Sequence, residues 1–246
     1  MSSKTVSSPS VDDQEVEKFS QLAQSWWDQE GPFKPLHIFN PTRITYIKDM
    51  VAKHLHKPFS ELDIVDIGCG GGLLAEPMAR LGAHVTAIDA SEKNIGVANL
   101  HAKQSKLDID YQCTTAENLA KQAKQFDVVL NMEVIEHVAD VNSFVEASMS
   151  LVKPGGLLFT ATLNRTVKSY MFAIVGAEYV LRWLPRGTHQ WSKFLKPSEV
   201  ESMIYKHGGR LVELEGMSFN PLTSKWSLSR DLDVNYVMVS MAGQRL

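Results

Sequence analysis

Only two cysteines occur in 246 residues, Cys69 and Cys113, and neither stands at metal-ligand spacing. A disulfide framework and a cysteine metal site are therefore both excluded, and a reducing cytoplasm suits the chain. Basic runs are also missing. The 25 Lys and Arg are outnumbered by 28 Asp and Glu, and the net charge of −3 argues against a nucleic-acid footprint. No apolar run reaches the roughly 18 uninterrupted residues of a transmembrane helix. Residues 1–14 are Ser-rich and charged, without the apolar stretch of a signal peptide, and are expected to form a disordered tail. What remains, 15–246 in a chain that is 44% hydrophobic, is enough for one large domain.

The pattern within that domain is an alternation. An N-terminal helical flank, 15–56, carries Phe19, Leu22, Ala23 and Trp26 at spacings of three and four. It breaks at Gly31-Pro32 and resumes as a helix from about Pro41 to His54. Strands are expected at 62–67, 84–89, 109–113, 126–131, 157–163, 210–217 and 234–240. Helices are expected at 72–81, 91–104, 140–152 and 197–207. Such alternation implies βαβ units and an α/β, doubly wound, mostly parallel seven-stranded sheet with right-handed crossovers. Lys153-Pro-Gly-Gly156 reads as a tight turn between helix and strand. After the fifth strand the pattern is interrupted over 164–196, an insertion leaving the sheet edge where ligands bind in such folds.

The chemically informative run is Val65-Asp-Ile-Gly-Cys-Gly-Gly-Gly72, an apolar strand passing into a glycine-dense turn. The next strand, Val85-Thr-Ala-Ile-Asp89, ends in a carboxylate placed to accept hydrogen bonds from ribose hydroxyls. Glycines let backbone approach a ligand closely. The dinucleotide fingerprint fails from Gly68, because its last position is Leu73, but its G-x-G-x-x-A form fits Gly70, Gly72 and Ala75. Asp66 disfavours a pyrophosphate nearby, whereas the ammonium and sulfonium of S-adenosylmethionine attract carboxylates. Two further readings stay open: an NAD-dependent oxidoreductase using the second glycine register, and a non-catalytic lipid-binding component of a biosynthetic complex.

A second loaded segment, Glu133-Val-Ile-Glu-His137, begins at the end of the fourth strand. In helical backbone its two carboxylates and imidazole share one face, a donor set that suits a hard divalent cation. The same residues equally suit a helix start with surface hydrogen bonds and a packed His137. His137 is also a candidate base, as is His189 on the insertion, which is as readily structural. Tyr170 to Leu184 is apolar, with Arg182, Trp183 and Arg186 near its end and Lys168 flanking it, compatible with a membrane interface or with packing on the protein's own core.

The set VDIGCGGG at 65–72, VTAID at 85–89, FDVVLNMEVIEHV at 126–138 and LVKPGGLLFTATLNR at 151–165 resembles class I S-adenosylmethionine-dependent methyltransferases, whose fold is Rossmann-like. WWDQEGPFKPLH at 26–37, EVIEH at 133–137, TLNR at 162–165, VGAEYVLR at 175–182 and GTH at 187–189 resemble, more narrowly, the O-methyltransferases of ubiquinone biosynthesis. The resemblance covers about 14–240. It implies an enzyme that methylates catechol-type hydroxyls of polyprenyl intermediates, 2-polyprenyl-6-hydroxyphenol and 3-demethylubiquinol. It further implies that Arg43, Gly68, Gly70, Asp89 and Met132 hold S-adenosyl-L-methionine and that Glu133, Glu136 and His137 bind Mg²⁺, with Glu133, His137 and His189 near the chemistry. Read on their own residues, Arg43 also suits a solvated helix position and Met132 ordinary core. The implied partners are the polyprenyl phenol or quinol, membrane lipids at the inner face of the membrane and other enzymes of the pathway, with no nucleic acid.

Overall fold

The protein is described by a computed structural model that places residues 8–171, 190–220, 223 and 225–243. Five strands lie side by side in parallel: Asp63–Ile67 (β1), His84–Asp89 (β2), Asp110–Cys113 (β3), Phe126–Met132 (β4) and Val152–Leu163 (β5), all but β3 largely apolar. β4 is buried at every position, as expected of a central strand covered on both faces. Gly209–Asn220 (β6), Lys225–Ser229 (β7) and Asn235–Ala242 (β8) complete a sheet of order β3-β2-β1-β4-β5-β8-β6-β7, with β8 antiparallel to both neighbours. The strand order reverses between β1 and β4, so their carboxyl ends open a crevice.

Helices Asp13–Gln21 (α1), Lys34–His54 (α2), Ala75–Arg80 (α3), Glu92–Gln104 (α4), Ala116–Ala120 (α5), Val141–Ser150 (α6), the single turn Val167–Ser169 (α7) and Pro197–Lys206 (α8) surround the sheet. Their starts are fixed by local chemistry. Asp12, Ser91, Thr115 and Asp140 each accept a backbone N–H of the first turn of α1, α4, α5 and α6. One apolar cluster joins α2 and α3 to the sheet through Tyr46, Ile47, Met78 and Phe159, and another joins α6 and α8 through Phe144, Val145, Val200 and Ile204. A third, Ala23, Trp26, Phe33 and Leu73, fastens the N-terminal flank to the start of α3.

The structure departs from the sequence reading in several places. Among the described residues the sheet has eight strands; the edge strand β7, Lys-Trp-Ser-Leu-Ser, is too polar and exposed to show an apolar run. Lys153-Pro-Gly-Gly156 is not a separate turn but a bulge inside β5. Phe126 pairs with Val152 while Val128 pairs with Leu157, and the extra residues bow out. α2 starts at Lys34 and carries Pro41 within it, with Pro35 in the first turn, where a missing N–H costs least. Residues 8–14 are placed rather than disordered: Ser10 is buried and accepts the Ala139 N–H, and the Ser8 hydroxyl donates to Glu117. Among the described residues no helix is long and apolar enough to cross a membrane.

Candidate active site

β1 ends at Ile67, and the chain turns through Gly68 at φ +69°, where a Cβ would stand 2.6 Å from Val134 Cγ2. The turn is tied to the next strand: Gly70 N–H donates to Asp89 Oδ2 at 3.0 Å and Cys69 N–H to the Ile88 carbonyl. Asp89 Oδ1 accepts from Ser91 N–H at 2.8 Å and from the Asn94 amide at 3.2 Å. Burial pushes the Asp89 carboxyl up against these hydrogen bonds. Asp66, on the neighbouring strand β1, is pushed up to about 7 by burial and then by the charge of Asp89.

A cleft of about 800 Å³, solvent at its mouth included, opens at these strand ends. Gly68, Asp89, Thr115 and Ala116 form one wall, Glu133, Val134 and His137 another, and Glu15, Val16 and Phe19 of α1 close the third, with Trp26 and Asn94 beside Asp89. Its size and its apolar lining with a few convergent polar groups are those of a small-molecule site. The fit to S-adenosylmethionine rests on the open glycine turn and on a carboxylate anchored at the end of β2.

The segment Glu133 to His137 is not one helical face. Glu133 adopts φ +61°, uncommon for a residue with a side chain, and only Ile135–His137 makes a 3₁₀ turn. The three side chains consequently separate. Glu133 Oε1 accepts from Arg43 Nη2 at 2.7 Å. Glu136 points into the interior, where burial and then the charge of Glu133 push its carboxyl well above the usual range. His137 Nδ1 lies 3.0 Å from Glu15 Oε2, its ring edge-on to Phe19. Burial alone would raise the Glu15 carboxyl, but the hydrogen bond and charge of His137, with Lys18 and Lys193, hold it down at about 2. Among the described residues no three His, Cys, Asp or Glu side chains group to hold a metal ion. The Mg²⁺ donor set is therefore not assembled here, because each member already faces a protein partner or the core.

Of the other sequence-derived residues, Gly68 and Asp89 meet at the cleft with Glu133 and His137. Arg43, Gly70 and Met132 stand one layer behind its wall. Arg43 is buried over the Phe39 ring with its Nε unpartnered, and Met132 packs in the core at the end of β4. His189 lies outside the described residues. The sequence reading did not assign Glu15, Phe19, Trp26 or Asn94 to the site; the helical spacing in the flank and the Trp26-Trp27 pair traced Phe19 and Trp26 alone.

Fold and cleft together define a class I methyltransferase. Residues 65–160 match the methyltransferase domain family, and the solved structure of magnesium protoporphyrin IX methyltransferase from Synechocystis with bound SAH has the same fold, with a TM-score of 0.66 at 18% identity over 94% of this chain and 100% of that one. A second, 1,6-didemethyltoxoflavin-N1-methyltransferase from Burkholderia thailandensis, gives a TM-score of 0.58 at 14% identity over 98% and 95%. Much nearer in sequence are the ubiquinone biosynthesis O-methyltransferases of Brucella anthropi, 56% identical over 94% of this chain and 95% of that protein, and of Parvibaculum lavamentivorans, 57% identical over 94% of each. The chain belongs to the ubiquinone biosynthesis O-methyltransferase family and is an S-adenosylmethionine-dependent O-methyltransferase. That membership sets aside both the NAD-dependent oxidoreductase and the non-catalytic lipid-binding component.

Proposed function

We propose that the chain methylates a catechol-type hydroxyl of a polyprenyl phenol or quinol, 2-polyprenyl-6-hydroxyphenol and 3-demethylubiquinol being the acceptors, at the cleft between β1, β2 and β4. The observation carrying this reading is the Glu15–His137 pair lining the same cleft as Gly68 and Asp89. S-adenosylmethionine, when bound, supplies the electrophilic methyl group. Asp89 binds the ribose hydroxyls, and Gly68 leaves room for the methionine portion. Arg43, paired with Glu133, holds the wall beneath it. A phenol ionises near pH 10, so at neutral pH it needs a base. His137, its Nδ1–H donated to Glu15, takes the acceptor's hydroxyl proton at Nε2. Mg²⁺ enters no step, since Glu133, Glu136 and His137 do not fit it as they stand.

Peripheral contact with the inner face of a membrane belongs to the same reading, because a polyprenyl acceptor resides in the bilayer. Supporting it, Val167, Tyr170, Met171 and Trp191 are exposed together at the borders of the insertion, Tyr170 and Trp191 in edge contact. The direct test is methyl transfer to a short-chain demethylubiquinol. His137→Ala is expected to lower kcat by about two orders of magnitude, the usual contribution of a general base, while S-adenosylhomocysteine binding stays near wild type. An unchanged kcat removes His137 from the chemistry.

A further inference from the structure

Asp89 is held by a neighbour whose own orientation is set from the N-terminal flank. Asn94 is buried on the first turn of α4, and its amide nitrogen donates to Asp89 Oδ1 at 3.2 Å. Its amide oxygen accepts from Trp26 Nε1 at 3.0 Å. An asparagine amide can face either way, and only its partners decide which end points where. An indole N–H can only donate. With Trp26 in place, the Asn94 oxygen is therefore committed to Trp26 and its NH₂ to the carboxylate. Turned the other way, the amide would set its oxygen against Asp89.

Trp26 is itself fixed. It is buried and stacks on Phe33 with ring centroids 3.7 Å apart and planes 3° from parallel. Its carbonyl lies 2.9 Å from His37 Nε2, and its indole covers Gly70 and Gly71, where any Cβ would run into the ring. The indole thus touches the glycine turn and, through Asn94, steers the carboxylate at the end of β2.

We propose that Trp26 is a positioning residue for the cofactor, acting through Asn94 to orient Asp89. The inference rests on the methyltransferase reading above. Trp26→Phe keeps the stacking ring and removes only the donor; Asn94→Leu removes the relay at its middle. Each is expected to weaken S-adenosylhomocysteine binding by calorimetry about ten-fold, the scale of one hydrogen bond to a charged group. In steady state the KM for S-adenosylmethionine rises, while kcat at saturation and the KM for the acceptor stay near wild type, a split that general loosening of the fold would not give. Because Trp26 acts through Asn94, the double variant binds no more weakly than Asn94→Leu alone. Should Trp26→Phe fail to fold, Asn94→Leu and Asn94→Asp probe the relay by themselves, the second placing like charges side by side and weakening binding further. Wild-type affinity in Trp26→Phe, losses that add in the double variant, or wild-type affinity in both Asn94 variants overturn the relay. Failure of the wild-type protein to bind S-adenosylhomocysteine would instead count against the cofactor reading itself.

Discussion

Asp66 shows how one buried side chain sets a pH dependence. Its Oδ2 has no hydrogen-bond partner, and the carboxyl is pushed up to about 7 in the folded chain from an ordinary 3.8 by burial and then by Asp89. A carboxyl with a raised folded value binds its proton more tightly in the native than in the unfolded state. Its contribution to stability is complete below pH 3.8 and is lost as pH rises through 7. Asp66→Asn carries no such proton, so urea melts at pH 5 and pH 8 are expected to differ less for the variant than for the wild type. An equal difference in both proteins assigns the pH dependence elsewhere. At this scale the sequence showed Gly68 and Asp89 clearly, because a glycine turn followed by an acid at the next strand end is a local signature. It misplaced Glu133, Glu136 and His137, because the positive φ of Glu133 breaks the helical spacing that would have gathered them. Glu15 and Asn94 left no local trace, since each is drawn to the site by a contact between distant segments.

Among the elements, α1 is the one whose role is decided by polar ties rather than by apolar packing alone. Glu15 meets His137, Lys193 pairs with Asp12 at 3.0 Å, and the Ser20 and Ser91 hydroxyls share a hydrogen bond. These ties hold the wall of the cleft that Val16 and Phe19 complete. Glu15→Ala is expected to speed amide hydrogen exchange in α1 several-fold while β4 and β5 exchange as in the wild type, because local opening depends on the ties of the segment that opens. The wild type loses the same tie on acidification. The Glu15 carboxyl is depressed in the folded state to about 2, so the stability it lends is present above its ordinary 4.5 and lost as pH falls toward 2. Exchange in α1 that is indifferent to Glu15→Ala argues that the pair with His137 does not hold the helix. Most elements were legible in the sequence because β1, β2, β4 and β5 are largely apolar and α4, α5 and α6 start at capping residues. α5, at five residues, was too short to carry a helical period, β7 is polar and largely exposed, and the β5 bulge was hidden because proline and two glycines mimic a turn.

At the scale of the whole molecule, net charge and surface pattern make opposite demands on a membrane encounter. A charge of −3 repels an anionic bilayer at long range, and the repulsion weakens as salt screens it. Lys168, next to Val167 in sequence, is paired with Asp231 and lies 3.5 Å from Asp233; the two carboxylates raise its pKa and offset its charge toward lipid. On the membrane contact proposed above, the attraction comes from apolar side chains: Val167 and Met171 are more than half exposed, and Tyr170 and Trp191 are exposed with them. Burying such groups in a bilayer interface is worth roughly 25 cal/mol per Å², a term that salt does not screen. In co-sedimentation with phosphatidylglycerol-containing vesicles, raising the salt concentration is therefore expected to leave the pelleted fraction unchanged or increased. Val167→Asp combined with Met171→Asp is expected to lower it several-fold, with methyl transfer to a soluble short-chain acceptor retained. A pelleted fraction that collapses with salt would place the attraction in charge, and one indifferent to the double substitution would place it away from the mouth of the insertion.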